Sequence, residues 1–240
     1  MSGNPFSLWV YLSQTPLLWL TVTLVVYAVA DAVSLATHRH PLANPVLHSI
    51  WVIGAFLRLT GTSYDTYFGG AQFVHFLLGP ATVALAVPLY ENRKTVWSAI
   101  VPMLAALVVG CVTAIVSVVL FAEAAGLPKD LVLAMAPKSV TAGVAMGISE
   151  TLGANPALTA VCVILTGIMG AIVVTPMMNA MGIRDFRARG FAAGLASHGI
   201  GTARAFQVDE VAGVFAGIAM SLNALVTSLL VPIAATLLLR

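Results

Sequence analysis

The 240 residues include 60% hydrophobic and only 8% charged side chains, with a net charge of +2 and a mean hydropathy of +0.99. Soluble domains carry about 25% charged residues, so an ordinary water-soluble domain is excluded, and so small a charge gives no argument for nucleic acid. The chain reads as an all-α polytopic membrane protein whose main partner is the lipid bilayer. Residues 1–7 lack a basic n-region, so no signal peptide is expected. Cys111 and Cys162 lie in apolar runs without clustered Cys/His spacing. They read as buried free thiols, and neither a metal nor a cofactor is expected.

A spanning helix needs about 20 mostly apolar residues. The first run covers 16–36 and ends at Thr37-His38-Arg39-His40-Pro41, with Asp31 near that end facing the interface or a neighbouring helix. A second, short run covers 44–61. A polar elbow follows over 61–70, with Tyr64, Asp65 and Tyr67 as a candidate gate or as ordinary interfacial aromatic anchors. The third run, 71–90, contains Gly79-Pro80 and Pro88, so a bend is expected in its middle. Glu91-Asn92-Arg93-Lys94 closes it. The fourth run, 97–121, is uninterrupted and apolar.

The next segment, 131–150, contains Ala136-Pro137-Lys138-Ser139-Val140-Thr141-Ala142-Gly143. A Lys at the centre of a spanning helix costs roughly 3 kcal/mol on insertion scales. Broken backbone at membrane depth is tolerated only where protein or a water-filled cavity satisfies it. A discontinuous helix is therefore expected here. An ordinary span over 157–178 follows, then Arg184, Arg187 and Arg189, then a short segment, 190–206, interrupted by Ser197-His198-Gly199-Ile200-Gly201-Thr202, and a last run over 211–239.

Basic residues near span ends prefer the cytoplasm. Placing Arg39, Arg93/Lys94 and Arg184/Arg187/Arg189 on that side forces 131–150 to begin and end outside, as a re-entrant hairpin or as two short crossings that return. If 190–206 also re-enters, the two hairpin-plus-span pairs have opposite topology. A sequence echo agrees: Thr141-Ala142 precedes Glu150, Thr202-Ala203 precedes Glu210, and each leads into an apolar run reaching Pro176 or Pro232. The architecture expected is about six full spans plus two re-entrant or discontinuous helices, with an inverted repeat of the kind secondary transporters use. Residues 1–125 would form scaffold and gate, and residues 126–240 the membrane core.

The polar groups concentrate at the two breaks. Half-helix N-termini expose N–H groups and partial positive charge. Ser139 and Thr141 add hydroxyls and Lys138 a full charge, which together suit a small carboxylate. The competing reading has Lys138 snorkelling and the hydroxyls bonded to their own helix. At the second break, Gly201 permits close backbone approach and Thr202 offers a hydroxyl. His198 is either a neutral hydrogen-bonded group or one that titrates with a transported proton. Arg204 is a carboxylate clamp or a partner of Asp209 or Glu210. Asn223 either hydrogen-bonds across helices or lines the site. Gly143/Gly147, Gly190/Gly194 and Gly213/Gly217 have a spacing that permits close helix packing, and a homo-oligomer stays open. No Gly-x-Ser-x-Gly, His-Glu-x-x-His or Walker-type motif is present, so no enzyme is expected.

The stretches Leu78-Gly79-Pro80-Ala81-Thr82-Val83-Ala84-Leu85-Ala86-Val87-Pro88-Leu89-Tyr90, Pro137-Lys138-Ser139-Val140-Thr141 and Ala196-Ser197-His198-Gly199-Ile200-Gly201-Thr202-Ala203-Arg204 resemble the signature stretches of the LrgB/CidB family. The elbow with Tyr64 and the start Pro156-Ala157-Leu158-Thr159-Ala160-Val161 are similar too, so the resemblance runs from about Pro41 to the end. One departure is Ala142-Gly143 after Thr141, where the family often has Thr-Pro; glycine also breaks a helix. The resemblance implies a bacterial inner-membrane protein paired with a small holin-like LrgA/CidA-type membrane protein. The family was named for control of murein hydrolase export and cell lysis, and its relatives include the plastidial glycolate/glycerate transporter. Two functions are therefore expected. The first is a secondary transporter of small monocarboxylates (glycolate, pyruvate, lactate), with Lys138, His198 or Arg204 giving charge compensation or proton coupling. The alternative is an antiholin-like regulator of murein hydrolase export and lysis.

Overall fold

A computed structural model describes residues 15–77, 80, 83 and 90–238. They pack as two compact units that divide between residues 86 and 87.

The first unit holds α1 (Pro16–Ala36), α2 (Pro45–Thr60) and α3 (Tyr64–Phe76). Pro16 opens α1, where its missing N–H costs nothing. Trp19 is fully buried, edge-on to Phe56 at 6.1 Å and to Tyr67 at 5.9 Å between ring centroids. Gly70 lets α3 lie directly on α1, because a side chain there would run into the Pro16 carbonyl and Trp19 Cβ. The Asn44 side chain caps α2 by accepting from Val46 N–H (2.9 Å) and Leu47 N–H (3.1 Å), and Gly61 ends it at φ 64°. Asp31 pairs with Arg39 from the turn after its own helix.

The polar elbow expected over 61–70 is shorter than its composition suggested. Residues from Tyr64 onward are helical, because the Ser63 hydroxyl accepts the Thr66 N–H at 3.2 Å and starts α3. Gly79 and Pro88, where a bend was expected, lie outside the described residues.

The second unit contains α4 (Arg93–Ser98), α5 (Ile100–Ala124), α6 (Lys129–Met135), α7 (Ala142–Thr151), α8 (Pro156–Ala180), α9 (Phe186–Val208) and α10 (Glu210–Leu238). Among the described residues, four helices are long and apolar enough to cross a membrane: α1, α5, α8 and α10. The run at 44–61 becomes the 16-residue α2, about 24 Å long at 1.5 Å per residue, short of a hydrocarbon core of about 30 Å.

Side-chain packing sets the directions of the long helices. Met103 and Leu107 of α5 pack with Val214, Phe215 and Ala219 of α10, and Val118 and Val119 pack with Ala235, so α5 and α10 run parallel. Val163 near the start of α8 meets Val231, while Val174 meets Ala212 and Ala216, so α8 runs antiparallel to both.

Two hairpins fill the space between them. In the first, Val132 of α6 packs on Val118, Val119 and Ala122 at the C-terminal end of α5. The chain turns over residues 136–141 and returns as α7, whose Ser149 hydroxyl lies 2.7 Å from that of Thr159 in the first turns of α8. Both arms thus leave at the end where α8 starts. The second hairpin is α9 itself. Gly190 faces Ala212 and Gly194 faces Ala216, so its first half runs parallel to α10. Beyond the break the direction reverses: Thr202 Oγ1 is 3.9 Å from Met220 Sδ, and the Phe206 ring covers Gly213. The second hairpin therefore enters from the opposite end of the bundle.

Glycine decides how closely α9 approaches α10. A methyl group on Gly194 would overlap the Ala216 backbone, whereas one on Gly143 would meet nothing within 4 Å. Gly194→Ala is expected to lower stability by about 1–3 kcal/mol despite the better helix propensity of Ala. Gly143→Ala is expected to be neutral or to stabilise by up to about 1 kcal/mol. Reversible unfolding in mixed detergent micelles with increasing dodecyl sulfate measures both.

Candidate functional site

The tips of the two hairpins meet at Asn223, halfway along α10. Its Nδ2 donates to the Ser139 carbonyl (3.0 Å) in the first break and to the Leu195 carbonyl (2.8 Å) just before the second. Its Oδ1 accepts from Cys111 Sγ–H (3.1 Å) and from Thr227 Oγ1–H (2.8 Å). A carboxamide has two donors and two lone pairs, and here all four are used in a side chain only 1% exposed. Because the two carbonyls can only accept, the network fixes the amide orientation.

The second break rests on α8. Ser197 (φ −132°, ψ 16°) and His198 (φ 41°, ψ −135°) leave the helical region, and a positive φ at a non-glycine residue is strained. His198 Nε2–H donates to the Val163 carbonyl at 2.9 Å, and Thr202 Oγ1–H donates to the His198 carbonyl at 2.8 Å. The His198 ring reaches α8 because Gly167 has no side chain: a methyl there would stand 2.6 Å from His198 Cε1. Gly170 likewise makes room for the Ser197 hydroxyl.

Between α5, α8 and the two tips lies a groove of about 690 Å³. Its polar lining comes from Lys138 and Ser139 of the first break, Ser197 of the second, Thr113 of α5 and Thr166 of α8. Ser197 Oγ is buried without a hydrogen-bond partner. Lys138 is partly buried; its backbone N–H donates to the Met135 carbonyl (3.1 Å), while its ammonium group forms no ion pair or hydrogen bond with the described residues. A second cavity of about 640 Å³ lies between α5 and the first half of α9, and Asp185 and Arg187 stand at the loop end of its lining. Arg187 bonds Asp185 with its side chain at 2.6 Å, and this holds the Asp185 carboxyl below its ordinary range.

Residues 23–237 match the model of the LrgB-like family. The chain belongs to that family. The LrgB-like protein is 32% identical over 216 residues to the Holin-like protein CidB of Staphylococcus epidermidis, a match covering 90% of this chain and 94% of that one. It is 31% identical over 217 residues to the Holin-like protein CidB of Staphylococcus aureus, with the same shares covered. To YxaC of Bacillus subtilis it is 37% identical over 193 residues, covering 80% and 84%. No solved structure matches. Family and apolar helices together make it a multi-pass membrane protein.

Of the residues expected at a solute site in this LrgB-like chain, Lys138 and Ser139 line the groove. Thr141 stands at the start of α7 without a side-chain capping bond. His198, Gly201, Thr202 and Asn223 build the tips and lie outside the groove lining. Asn223 takes the cross-helix role. Arg204 is buried in the second half of α9, also outside the lining. Tyr64, Asp65 and Tyr67 belong to the first unit: the Tyr64 ring stacks on Phe68 at 5.6 Å, Asp65 lies exposed in the first turn of α3, and the Tyr67 hydroxyl is 3.1 Å from that of Thr23. Ser197, Thr113, Thr166 and the glycine pair Gly167/Gly170 are the contributors that sequence reasoning passed over. Only the spacing of Gly167 and Gly170, within a run read as an ordinary span, signalled a close contact.

Asn223→Ala removes both bonds that tie the tips together and both that orient the amide. It is expected to cost roughly 2–4 kcal/mol, at about 0.6–1.7 kcal/mol per membrane hydrogen bond. Asn223→Asp, which loses the donors but keeps the shape, is expected to lose about as much. Unfolding titrations in mixed micelles read both.

Proposed function

We propose that this protein binds a small monocarboxylate of the glycolate, pyruvate or lactate class in the groove between the hairpin tips and passes it across the bacterial inner membrane. The observation that carries this reading is an ammonium group, Lys138, without a counter-charge among the described residues, in a mainly apolar groove that Ser197, whose hydroxyl is unpartnered among those residues, also lines. An unpaired charge in such surroundings is costly, and an anion offsets that cost. The carboxylate would pair with Lys138 and accept from Ser197 Oγ–H, with Ser139 beside it. A three-carbon acid fills about the space of three waters, roughly 90 Å³, so a groove of about 690 Å³ holds the solute together with water. That suits a passage better than a tight storage site. We read the opposed hairpins as an inverted repeat that rocks to expose the groove to one side and then the other. Proton coupling through His198 and charge compensation by Arg204 belong to the same proposal, through groups outside the groove lining.

A second reading is favoured by the comparisons rather than by the groove. Relatives covering nine-tenths of the chain are named Holin-like protein CidB, and these names support an antiholin-like regulator of murein hydrolase export and lysis better than they support carboxylate transport. In that role the chain would act with a small holin-like LrgA/CidA-type partner, and the groove would serve packing or water passage.

Proteoliposomes containing this chain alone separate the two. Carboxylate transport gives saturable pyruvate or lactate counterflow that falls at least about tenfold in Lys138→Gln and Ser197→Ala, the scale expected for one charge-assisted contact. The holin-like reading gives either no flux or non-saturable leakage that needs the partner and ignores substrate identity.

A further inference from the structure

The two larger cavities described above share a wall. Gly110 of α5 and Leu195 of α9 line both. On one side lie Asp185 and Arg187, at the loop between α8 and α9. On the other lie Lys138, Ser139 and Ser197. The Leu195 side chain closes against Gly110 so tightly that a methyl on that glycine would overlap Leu195 Cδ2. The cavities are thus successive parts of one groove along α5 and α9, interrupted where an isobutyl group meets a bare backbone.

Two features make this interruption movable. Leu195 is only partly buried, and its wall partner has no side chain of its own, so rotation of one side chain suffices to open a gap. Leu195 also stands two residues before Ser197, where the backbone leaves the helix, so a tilt of the tip moves it without unwinding either arm. Its carbonyl is held by Asn223 while the side chain is free of polar restraint. A branched apolar group at a narrow wet passage excludes water and ions when closed.

We propose that Leu195 is the gate between a vestibule at the α8–α9 loop and the groove that holds Lys138, closed in the conformation described here. The identity of the solute that passes rests on the carboxylate reading; the gate itself does not. Arg184 in that loop and Arg187 and Arg189 in the first turn of α9 place the vestibule on the cytoplasmic side by the preference of basic residues for that face.

The test uses the full chain in membrane vesicles. Cys111→Ser keeps a donor for Asn223, Cys162→Ala removes the second thiol, and Thr113→Cys puts a reporter in the inner groove. Methanethiosulfonate ethylsulfonate, an anionic reagent that does not cross bilayers, is added to the face from which Arg184→Cys labels. Leu195→Ala is expected to speed labelling of the Thr113→Cys reporter by about tenfold or more, while Leu195→Met, similar in volume, stays within about twofold of the parent. Equal rates in the parent and Leu195→Ala, whether fast or slow, overturn the gate. Pyruvate or lactate is added in a second arm. Protection of the reporter supports a carboxylate site; faster labelling in Leu195→Ala without protection keeps the gate and rejects that solute. Detergent melting curves confirm that each variant is folded.

Discussion

A single carboxamide organises the second unit. Two helical hairpins enter from opposite ends of the bundle, and at each tip the helix is interrupted, over residues 136–141 in the first and at Ser197 and His198 in the second. In lipid such interrupted backbone needs protein partners or water. Asn223 supplies one N–H to each tip, from the middle of a helix that both hairpins touch. Cys111 and Thr227 in turn saturate its oxygen. A fully satisfied buried network specifies one arrangement, whereas a half-satisfied one would be worse than an apolar core. Asn223 thereby sets how far each hairpin penetrates and keeps the two tips next to each other.

Small residues make that meeting sterically possible. Gly190 and Gly194 bring α9 onto the α10 backbone, and Gly167 and Gly170 seat His198 and Ser197 on α8. The strained turn at His198 persists because the ring is bonded to Val163 and its carbonyl to Thr202. Much of the polar character that reads as a binding motif is therefore spent holding the tip in shape. The polar residues that line the groove are Lys138, Ser139, Ser197, Thr113 and Thr166.

This division also bears on the two functional readings. A tip serving only as packing would not need an ammonium group without a counter-charge among the described residues, since apolar residues of similar volume would cost less. The relatives are named holin-like, whereas the groove carries the Lys138 ammonium group in a mainly apolar lining. Both readings are compatible with a membrane protein whose second unit holds two cavities that share Leu195 and Gly110 as lining.

Local chemistry alone was enough for several conclusions. Composition demanded a membrane protein, Pro137 with Lys138 demanded a break in 131–150, and Ser197-His198-Gly199 marked another in 190–206. Charge placement near Arg39, Arg93 and Arg184 then made both segments candidates for turning back. These follow from the sequence because the penalties for charge, proline and exposed backbone in hydrocarbon are paid residue by residue. Which polar groups face solute and which face protein did not follow. Ser197 outranks Thr202 and His198 as a groove residue, and Asn223 joins tips rather than lining a pocket, only because α8 presents glycines where the second tip lands. Such roles depend on contacts across tens of residues, such as Asn223 with Ser139, and no local pattern encodes which face of a turn a distant helix will cover.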